Sequence, residues 1–469
     1  MLSVLFICSD TFRWDYLGCY GNDWIHTPNL DALAREGVVF LDAFSEGLPT
    51  IPARRVMHTG RRIIPMRTVP QPSDMVQLPG WHPLYAEDVT LAEVLRDAGY
   101  VTSYVTDVYH VMKPGKNFHR GFEHWDWVRG VEDDPYHLRD VRQVEEMVAQ
   151  ATHWGNRPAD KRHWIVQHLM GRKDWKSDAD TLVGRVMTRA ADWLRRYTLD
   201  EPFFLYVDCF DPHEPWDPPE HHARRYSPGY EGFWYCFPPG TSASMTPEQL
   251  ENVRAAYAGE VTMVDEWIGH LLGALNDAGF MDETLIVFTS DHGTMMGEQG
   301  EIHKGPDRLR NQCTQVPLII RHTEPEHVGQ QVAGFVQHQD IMPTILGRLG
   351  IRGPDRMQGE DLWPLTASGE RSRRERVIQS FGQYACVRTA KWNYVGPWAP
   401  MPAGAPVRED LYDLEADPQE LTNVIGDHLG VAGEFAEALR EYTRAHGAET
   451  AGDLGPTGQS LALEDQARL

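Results

Sequence analysis

Hydrophobic positions along the chain fall into two recurring patterns, short unbroken apolar runs and longer stretches with helical spacing, and the two alternate. Leu2-Ser3-Val4-Leu5-Phe6-Ile7-Cys8 is a run of the first kind. It ends at Ser9-Asp10, as a strand buried on both faces of a parallel sheet does when it delivers a polar residue to its carboxyl end. Thr27-Pro28-Asn29-Leu30-Asp31 then opens a short helix through Leu33 and Ala34, Gly37 stops it, and Val38-Val39-Phe40 resumes strand character. Thr90 and Glu93 form a capping box before Leu91, Val94 and Leu95, and after Gly99 the segment Tyr100–Val105 reads as a strand. Pro202–Val207 is another strand, running into Asp208-Cys209-Phe210-Asp211-Pro212-His213. From Tyr257, apolar residues at Val261, Val264, Ile268, Leu271, Leu272 and Leu275 mark one buried helical face. Thr284–Thr289 is a β-rich run that delivers Ser290-Asp291-His292-Gly293; Val316–Ile320 is one more strand, and Asp340 caps a helix through Ile345 and Leu346.

This strand-helix rhythm predicts an α/β fold with a mostly parallel sheet over roughly residues 1–360. Residues 130–200, rich in Trp, His and charge and closing with a helix through Leu182, Val186, Trp193 and Leu194, are expected to form an insertion near the site. Around Gly353 to Arg373 the composition shifts to Gly, Pro, Arg and Glu, which predicts a boundary. A small α+β unit over 361–447 follows, with a strand pair near 384–395 and a final helix. Residues 448–469 lack aromatic residues and apolar periodicity and read as a mobile or oligomer-ordered tail.

Composition narrows the function. With 44 Lys+Arg against 68 Asp+Glu the formal charge is −24, which argues against nucleic acid or an anionic membrane as partner. An anionic small-molecule substrate would need a locally positive site. No apolar stretch approaches the ~20 residues that span a bilayer, and the start lacks a basic leader, so the expectation is a cytoplasmic protein with a homo-oligomer left open. Cys8, Cys19, Cys209, Cys236, Cys313 and Cys386 are scattered without a CxxC pair and predict reduced thiols rather than a disulfide framework.

The candidate chemistry begins at two strand ends far apart in sequence. A parallel sheet would gather Asp10 with Asp291 and His292 along one edge, and two carboxylates with an imidazole suit a divalent metal. Thr50-Ile51-Pro52-Ala53-Arg54 and Thr59-Gly60-Arg61 add weight, because the chain here resembles the sulfatase branch of the alkaline-phosphatase superfamily. Its pattern is Cys or Ser, any residue, Pro, Ser or Ala, then Arg, followed by Thr-Gly-Arg. Further matches in family order are Thr27–Asp31, Asp211-Pro212-His213, Ser290–Gly293 with Gly297-Glu298, Val316–Arg321, Asp340–Thr344, Val387–Thr389, and Leu411–Leu414 with Asp417-Pro418.

The resemblance implies an alkaline-phosphatase-like sandwich with metal ligands Asp10, Thr50, Asp291 and His292. Thr50 takes the nucleophile position, Arg54 orients it, and His213, Lys304 and His110 act on the substrate or leaving group. Two departures bear on the reaction. Sulfatases mature the motif's Cys or Ser into formylglycine, an aldehyde that Thr50 cannot become. A threonine alkoxide can still attack phosphorus, as in the superfamily's threonine-dependent phosphodiesterases. Asp10 is followed by Thr11 where many sulfatases have another Asp, and His292 stands where many have Asn, a pattern similar to phosphonate monoester hydrolases. One ion is implied, Mn²⁺ first, with Zn²⁺, Fe²⁺, Ca²⁺ or Mg²⁺ as alternatives. The family's Gly-Lys-Trp-His segment is replaced by Thr106-Asp107-Val108-Tyr109-His110, so its lysine is missing. His119, in Asn117–Phe122, is a second candidate after His110 for the same pocket, and His303 beside Lys304 carries no assigned role. Three readings follow: a phosphodiester or phosphonate monoester hydrolase, a sulfuric ester hydrolase with an unmodified Thr, and a catalytically dead scaffold.

Overall fold

Seven residues, Ser3–Ser9, form a strand with every side chain buried. The computed structural model describes residues 1–67, 76, 78–132, 134–137, 140, 142, 144–151, 164–322, 328–368, 371–399, 401 and 407–451. The strand pairs in parallel with Phe203–Cys209 on one side and Thr284–Ser290 on the other. Ser9 lies in register with both Cys209 and Ser290, so Asp10, Phe210 and Asp291 all leave the sheet at one edge. Across the eight-stranded sheet the order is Gln330–Gln337, Val38–Phe44, Leu318–Arg321, Thr284–Ser290, Ser3–Ser9, Phe203–Cys209, Val101–Thr106 and His124–Trp127. The five strands from Thr284–Ser290 to His124–Trp127 are parallel, as expected, and Leu318–Arg321 runs antiparallel to both its neighbours, which makes the sheet mixed. Strand direction leaves no mark on Leu318-Ile319-Ile320, which is apolar in either sense.

The chain divides into two compact units. The first comprises Met1–Leu41, Thr90–His303 and Pro317–Gln331 and contains most of this sheet. Its helix Pro247–Asp277 begins ten residues before the apolar period at Tyr257 announces it. Pro247–Glu251 are exposed or half-buried, and of the buried residues that follow, Asn252, Val253, Ala255 and Ala256, only Val253 has a large apolar side chain, so the apolar period is faint there. What starts the helix is a capping box, with the Thr246 hydroxyl accepting from Gln249 N at 3.2 Å and Gln249 Oε1 accepting from Thr246 N at 2.9 Å. Helix Leu182–Arg196 packs on it and on Phe203–Cys209 through Val183, Val186, Met187, Ala190 and Leu194. This part of the 130–200 segment is a layer of the first unit. Val144, Val148, Ile165, Val166, Leu169 and Met170 instead form a separate cluster with Cys236, and residues 152–163 lie outside the described residues.

The second unit comprises Asp42–Val89, Lys304–Val316 and Val332–Leu469. Its sheet has five strands rather than a pair: Asp410–Asp413, Trp392–Pro397, Tyr384–Thr389 and Arg376–Phe381 in antiparallel succession, with Gly47–Leu48 added in parallel at the edge. Val56, Ile63, Ile64, Met66, Ile378, Ala385, Val387 and Leu439 make its core. The helix Leu429–Ala451 runs past residue 448, and 452–469 lie outside the described residues. Asp340 does not cap Ile341–Leu349 with its side chain. Its carboxylate accepts from Gln337 N at 2.8 Å and from Arg374 Nη1 at 2.7 Å, because a buried charge is better matched by a guanidinium than by one amide.

Glu46 in this unit is 1% exposed. Burial pushes its carboxyl up to about 7, although Ile63 N donates to it at 2.8 Å and Ile64 N at 3.3 Å. The unfolded chain then loses its proton near 4.5 while the folded chain holds it to about 7. Stability therefore falls as pH rises across that window and the loss is complete above it. Glu46→Gln should flatten the urea-unfolding free energy between pH 4.5 and 7, removing a decline on the order of 3 kcal/mol; an unchanged slope would exclude Glu46 as its source. All six cysteines are free, as expected of reduced thiols. No helix among the described residues is long and apolar enough to cross a membrane.

Candidate functional site

The parallel strand ends bring Asp10, Asp291 and His292 together, each with no exposed surface. One ligand atom from each lies within 4.8 Å of the other two. His292 Nε2 stands 3.5 Å from Asp291 Oδ2 and 3.8 Å from Asp10 Oδ1, too far for hydrogen bonds and close enough for ligands of one ion. At the other side of the ring, Nδ1–H donates to the Gly293 carbonyl at 2.9 Å, the arrangement that turns the Nε2 lone pair toward the carboxylates.

Neighbours hold these ligands in place. Asp291 Oδ1 accepts from Thr11 N at 2.9 Å and His292 N at 2.8 Å, and the Thr11 hydroxyl donates to Asp10 Oδ1 at 2.7 Å. Ser290 Oγ accepts from Phe12 N and donates to the His292 carbonyl, both at 2.8 Å. Thr11 sits at φ +62°, a left-handed conformation that costs a β-branched residue about 1–3 kcal/mol. Its carbonyl accepts from Tyr257 Oη at 2.8 Å, and Tyr257 Oη in turn accepts from Arg13 N at 2.8 Å. Thr11, Ser290 and Tyr257 are thus positioning residues that sequence reasoning did not find. Only the departure at Thr11 gave a signal.

The Asp211–His213 segment joins the same edge, since Asp10 N donates to the Cys209 carbonyl at 2.9 Å and Ser9 Oγ to the Asp211 carbonyl at 2.7 Å. His213 stacks on Phe210 with ring centroids 4.1 Å apart and donates from Nδ1 to the Glu214 carbonyl at 2.7 Å. Glu214 also faces His303, which lies between the Trp216 and Phe237 rings. His110 is buried with Nε2 2.5 Å from Glu132 Oε2, and His119 is exposed.

Buried acids adjoin this segment, Asp107 Oδ1 accepting from Phe210 N at 2.8 Å and Glu260 Oε1 from Asp217 N at 3.0 Å. Burial pushes Asp107 and Glu260 well above the usual carboxylate range, reinforced by the charge of Asp211. Burial also raises Asp211 to about 6 against the pull of Val183 N and His168. Glu260 had a signal in the sequence, a carboxylate three residues after Tyr257 on an otherwise apolar helical face.

Thr50, Arg54 and Lys304 belong to the second unit. Thr50 opens the helix Thr50–Thr59, all of whose residues are buried, and is 2% exposed. One turn on, Arg54 Nη1 donates to the Thr50 carbonyl at 3.3 Å. Arg55 secures the helix through two bonds to Asp88, at 2.8 and 2.9 Å, and lies 4.0 Å from the Tyr85 ring centroid. Gly60 closes the helix at φ +61°.

The family model for sulfatases matches residues 3–351. The chain belongs to the sulfatase family. A second model, for the C-terminal part of N-sulphoglucosamine sulphohydrolase, matches residues 307–444. An arylsulfatase of Clostridium perfringens is 26% identical over 94% of this chain and 92% of its own length. The multifunctional alkaline phosphatase superfamily protein PehA of Trinickia caryophylli is 25% identical, with 99% of each chain covered. The crystal structure of a phosphonate monoester hydrolase of Agrobacterium radiobacter superposes with a TM-score of 0.73 at 26% identity, covering 95% of this chain and 96% of its own.

The fold is that of the alkaline-phosphatase-like sulfatases, as expected, and the protein is a hydrolase acting on ester bonds. Sulfatase family members typically use a divalent metal, and the donor set Asp10, Asp291 and His292 fits one: two hard carboxylates and an oriented imidazole, all shielded from bulk water.

Proposed function

We propose that this sulfatase-family chain hydrolyses phosphodiesters or phosphonate monoesters through a covalent threonine intermediate, with a small anionic ester as substrate. The observation that carries the reading is Thr50, standing where the family motif has the Cys or Ser that becomes formylglycine. Asp10, Asp291 and His292, with Thr50 as a further ligand, would hold one divalent cation, Mn²⁺ first because an imidazole sits among the donors. That cation supplies positive charge which lowers the pKa of a nearby hydroxyl and offsets charge on the transferred group.

In this reading the Thr50 Oγ1–H proton passes to solvent, the Oγ1–P bond forms and the bond from phosphorus to the leaving oxygen breaks. His110, oriented by Glu132, hands the leaving oxygen a proton, while Arg54, His213 and Lys304 donate to the phosphoryl oxygens. Water then attacks phosphorus in the phosphothreonine and gives a proton to His110, the P–Oγ1 bond breaks, and Thr50 Oγ1 regains a proton from solvent. The Agrobacterium phosphonate monoester hydrolase and the Trinickia multifunctional protein support this reading.

The second reading is a sulfuric ester hydrolase that works with an unmodified Thr50. The two sulfatase-type family models and the Clostridium arylsulfatase favour it. A side-by-side assay of aryl phosphodiester, phenylphosphonate monoester, phosphomonoester and aryl sulfate with added Mn²⁺ separates the two. We expect kcat/KM for the diester or phosphonate to exceed that for the sulfate by at least about a hundredfold, some 2.7 kcal/mol of discrimination. The opposite ranking would install the sulfate reading, and turnover of none of the four by metal-loaded protein would leave the scaffold.

A further inference from the structure

A second group of metal-ligating side chains lies in the first unit, built from Asp178, His221 and His222. We propose that these three residues form a divalent-cation site of the zinc class, separate from Asp10, Asp291 and His292. Both imidazoles converge on one oxygen: His221 Nε2 and His222 Nε2 each stand 3.0 Å from Asp178 Oδ2. One atom from each of the three residues lies within 4.8 Å of the others, and the two rings lie face to face at a tilt of 37°, with centroids 4.1 Å apart. Two nitrogens and one carboxylate oxygen make the donor set that Zn²⁺ accepts, with water completing the shell at the exposed His221.

The ligands sit on backbone that is already fixed. Asp178 opens the turn before helix Leu182–Arg196, and its carbonyl accepts from Thr181 Oγ1 at 2.6 Å. His222 is 1% exposed and lies on the short helix Glu220–Arg224, which touches helix Pro247–Asp277 so closely that a Cβ on Gly259 would stand 2.8 Å from Ala223 N. A site held this way needs little reorganisation to take an ion. The Glu266 carboxylate, on the same long helix, adds negative potential at His222. The cation would clip Asp178 to the Glu220–Arg224 helix. It would thereby brace the start of Leu182–Arg196, where Val183 N donates to Asp211 Oδ2 at 3.1 Å, two residues before His213.

The test uses the full chain, stripped with chelator and titrated with Zn²⁺ by calorimetry, with Co²⁺ absorption as a second readout. Wild type should bind two equivalents, and Asp291→Ala should retain one together with visible Co²⁺ bands. His221 is exposed, so His221→Ala removes a ligand and its ring contact with His222 without opening the core. Combined with Asp291→Ala it should weaken the remaining equivalent by at least about tenfold and abolish the bands, as should Asp178→Asn in the same background. If Asp291→Ala binds no Zn²⁺, or binds it unchanged after either second substitution, the site does not exist. Wild type and His221→Ala both binding one equivalent would sink this site and leave the proposed function standing. Asp291→Ala still binding two would instead remove the ion assigned to the strand ends.

Discussion

Thr50→Ala is expected to lower kcat by roughly a thousandfold or more, with KM and the unfolding temperature nearly unchanged. The Thr50 hydroxyl makes no hydrogen bond among the described residues, so its removal breaks no structural contact. The helix that carries it keeps the Arg55–Asp88 pair and the Gly60 cap. Alanine also has the higher helix propensity, so any local effect is stabilising. The loss must therefore fall on chemistry. Thr50→Ser should retain phosphoester turnover, because a primary hydroxyl follows the same path with less crowding, and trapping of phosphate on residue 50 should be seen in both hydroxyl forms and not in the alanine variant. Thr50→Cys, co-expressed with a formylglycine-generating enzyme, should gain sulfatase activity if the remaining motif is still recognised. Near wild-type turnover in Thr50→Ala would hand the attack to water and leave Thr50 a positioning role.

Asp291→Ala should abolish tight binding of one metal equivalent and, with it, detectable turnover. The carboxylate is fully buried, contributes one oxygen toward His292 Nε2 and uses the other to hold Thr11 N and His292 N. Alanine removes the ligand and frees the amides that shape the site, so a loss of stability accompanies it. Asp291→Asn separates the two effects: its carbonyl oxygen can still accept from both amides while the negative charge is gone. An asparagine variant that folds like wild type but binds metal at least about tenfold more weakly assigns the loss to ligation. Undiminished binding in both variants would place the ion elsewhere.

Much of the first unit was legible because its central strands are buried on both faces and read as unbroken apolar runs ending in Ser9-Asp10 and Ser290-Asp291. The parallel register then follows from the strand-helix alternation, and the juxtaposition of Asp10 with Asp291 and His292 follows from the register. What escaped was set by tertiary contacts. Gly47–Leu48 is too short to show a period and becomes a strand only beside Ser380 and Phe381. The first five residues of Pro247–Asp277 lie outside the core and carry only a capping box, and of the buried residues that follow, Asn252, Val253, Ala255 and Ala256, only Val253 has a large apolar side chain. Thr11 looked like a simple departure at a ligand position, whereas its backbone angle and two hydrogen bonds make it the link between the carboxylates. Asp178, His221 and His222 gave no spacing rule, since the two segments meet only through the packing of three helices.

The bond between Thr11 N and Asp291 Oδ1 closes a loop of 280 residues. No nascent chain on the ribosome can complete the strand-end cluster until well over half of the protein has been synthesised and the strand Thr284–Ser290 has found Ser3–Ser9. Capture of an ion by Asp10, Asp291 and His292 is therefore a late event in biogenesis and a report that the long-range topology of the sheet is correct. Truncated or mispaired chains, which lack one carboxylate or hold it out of register, would leave this strand-end site empty, and an ion held there would mark finished molecules apart from unfinished ones.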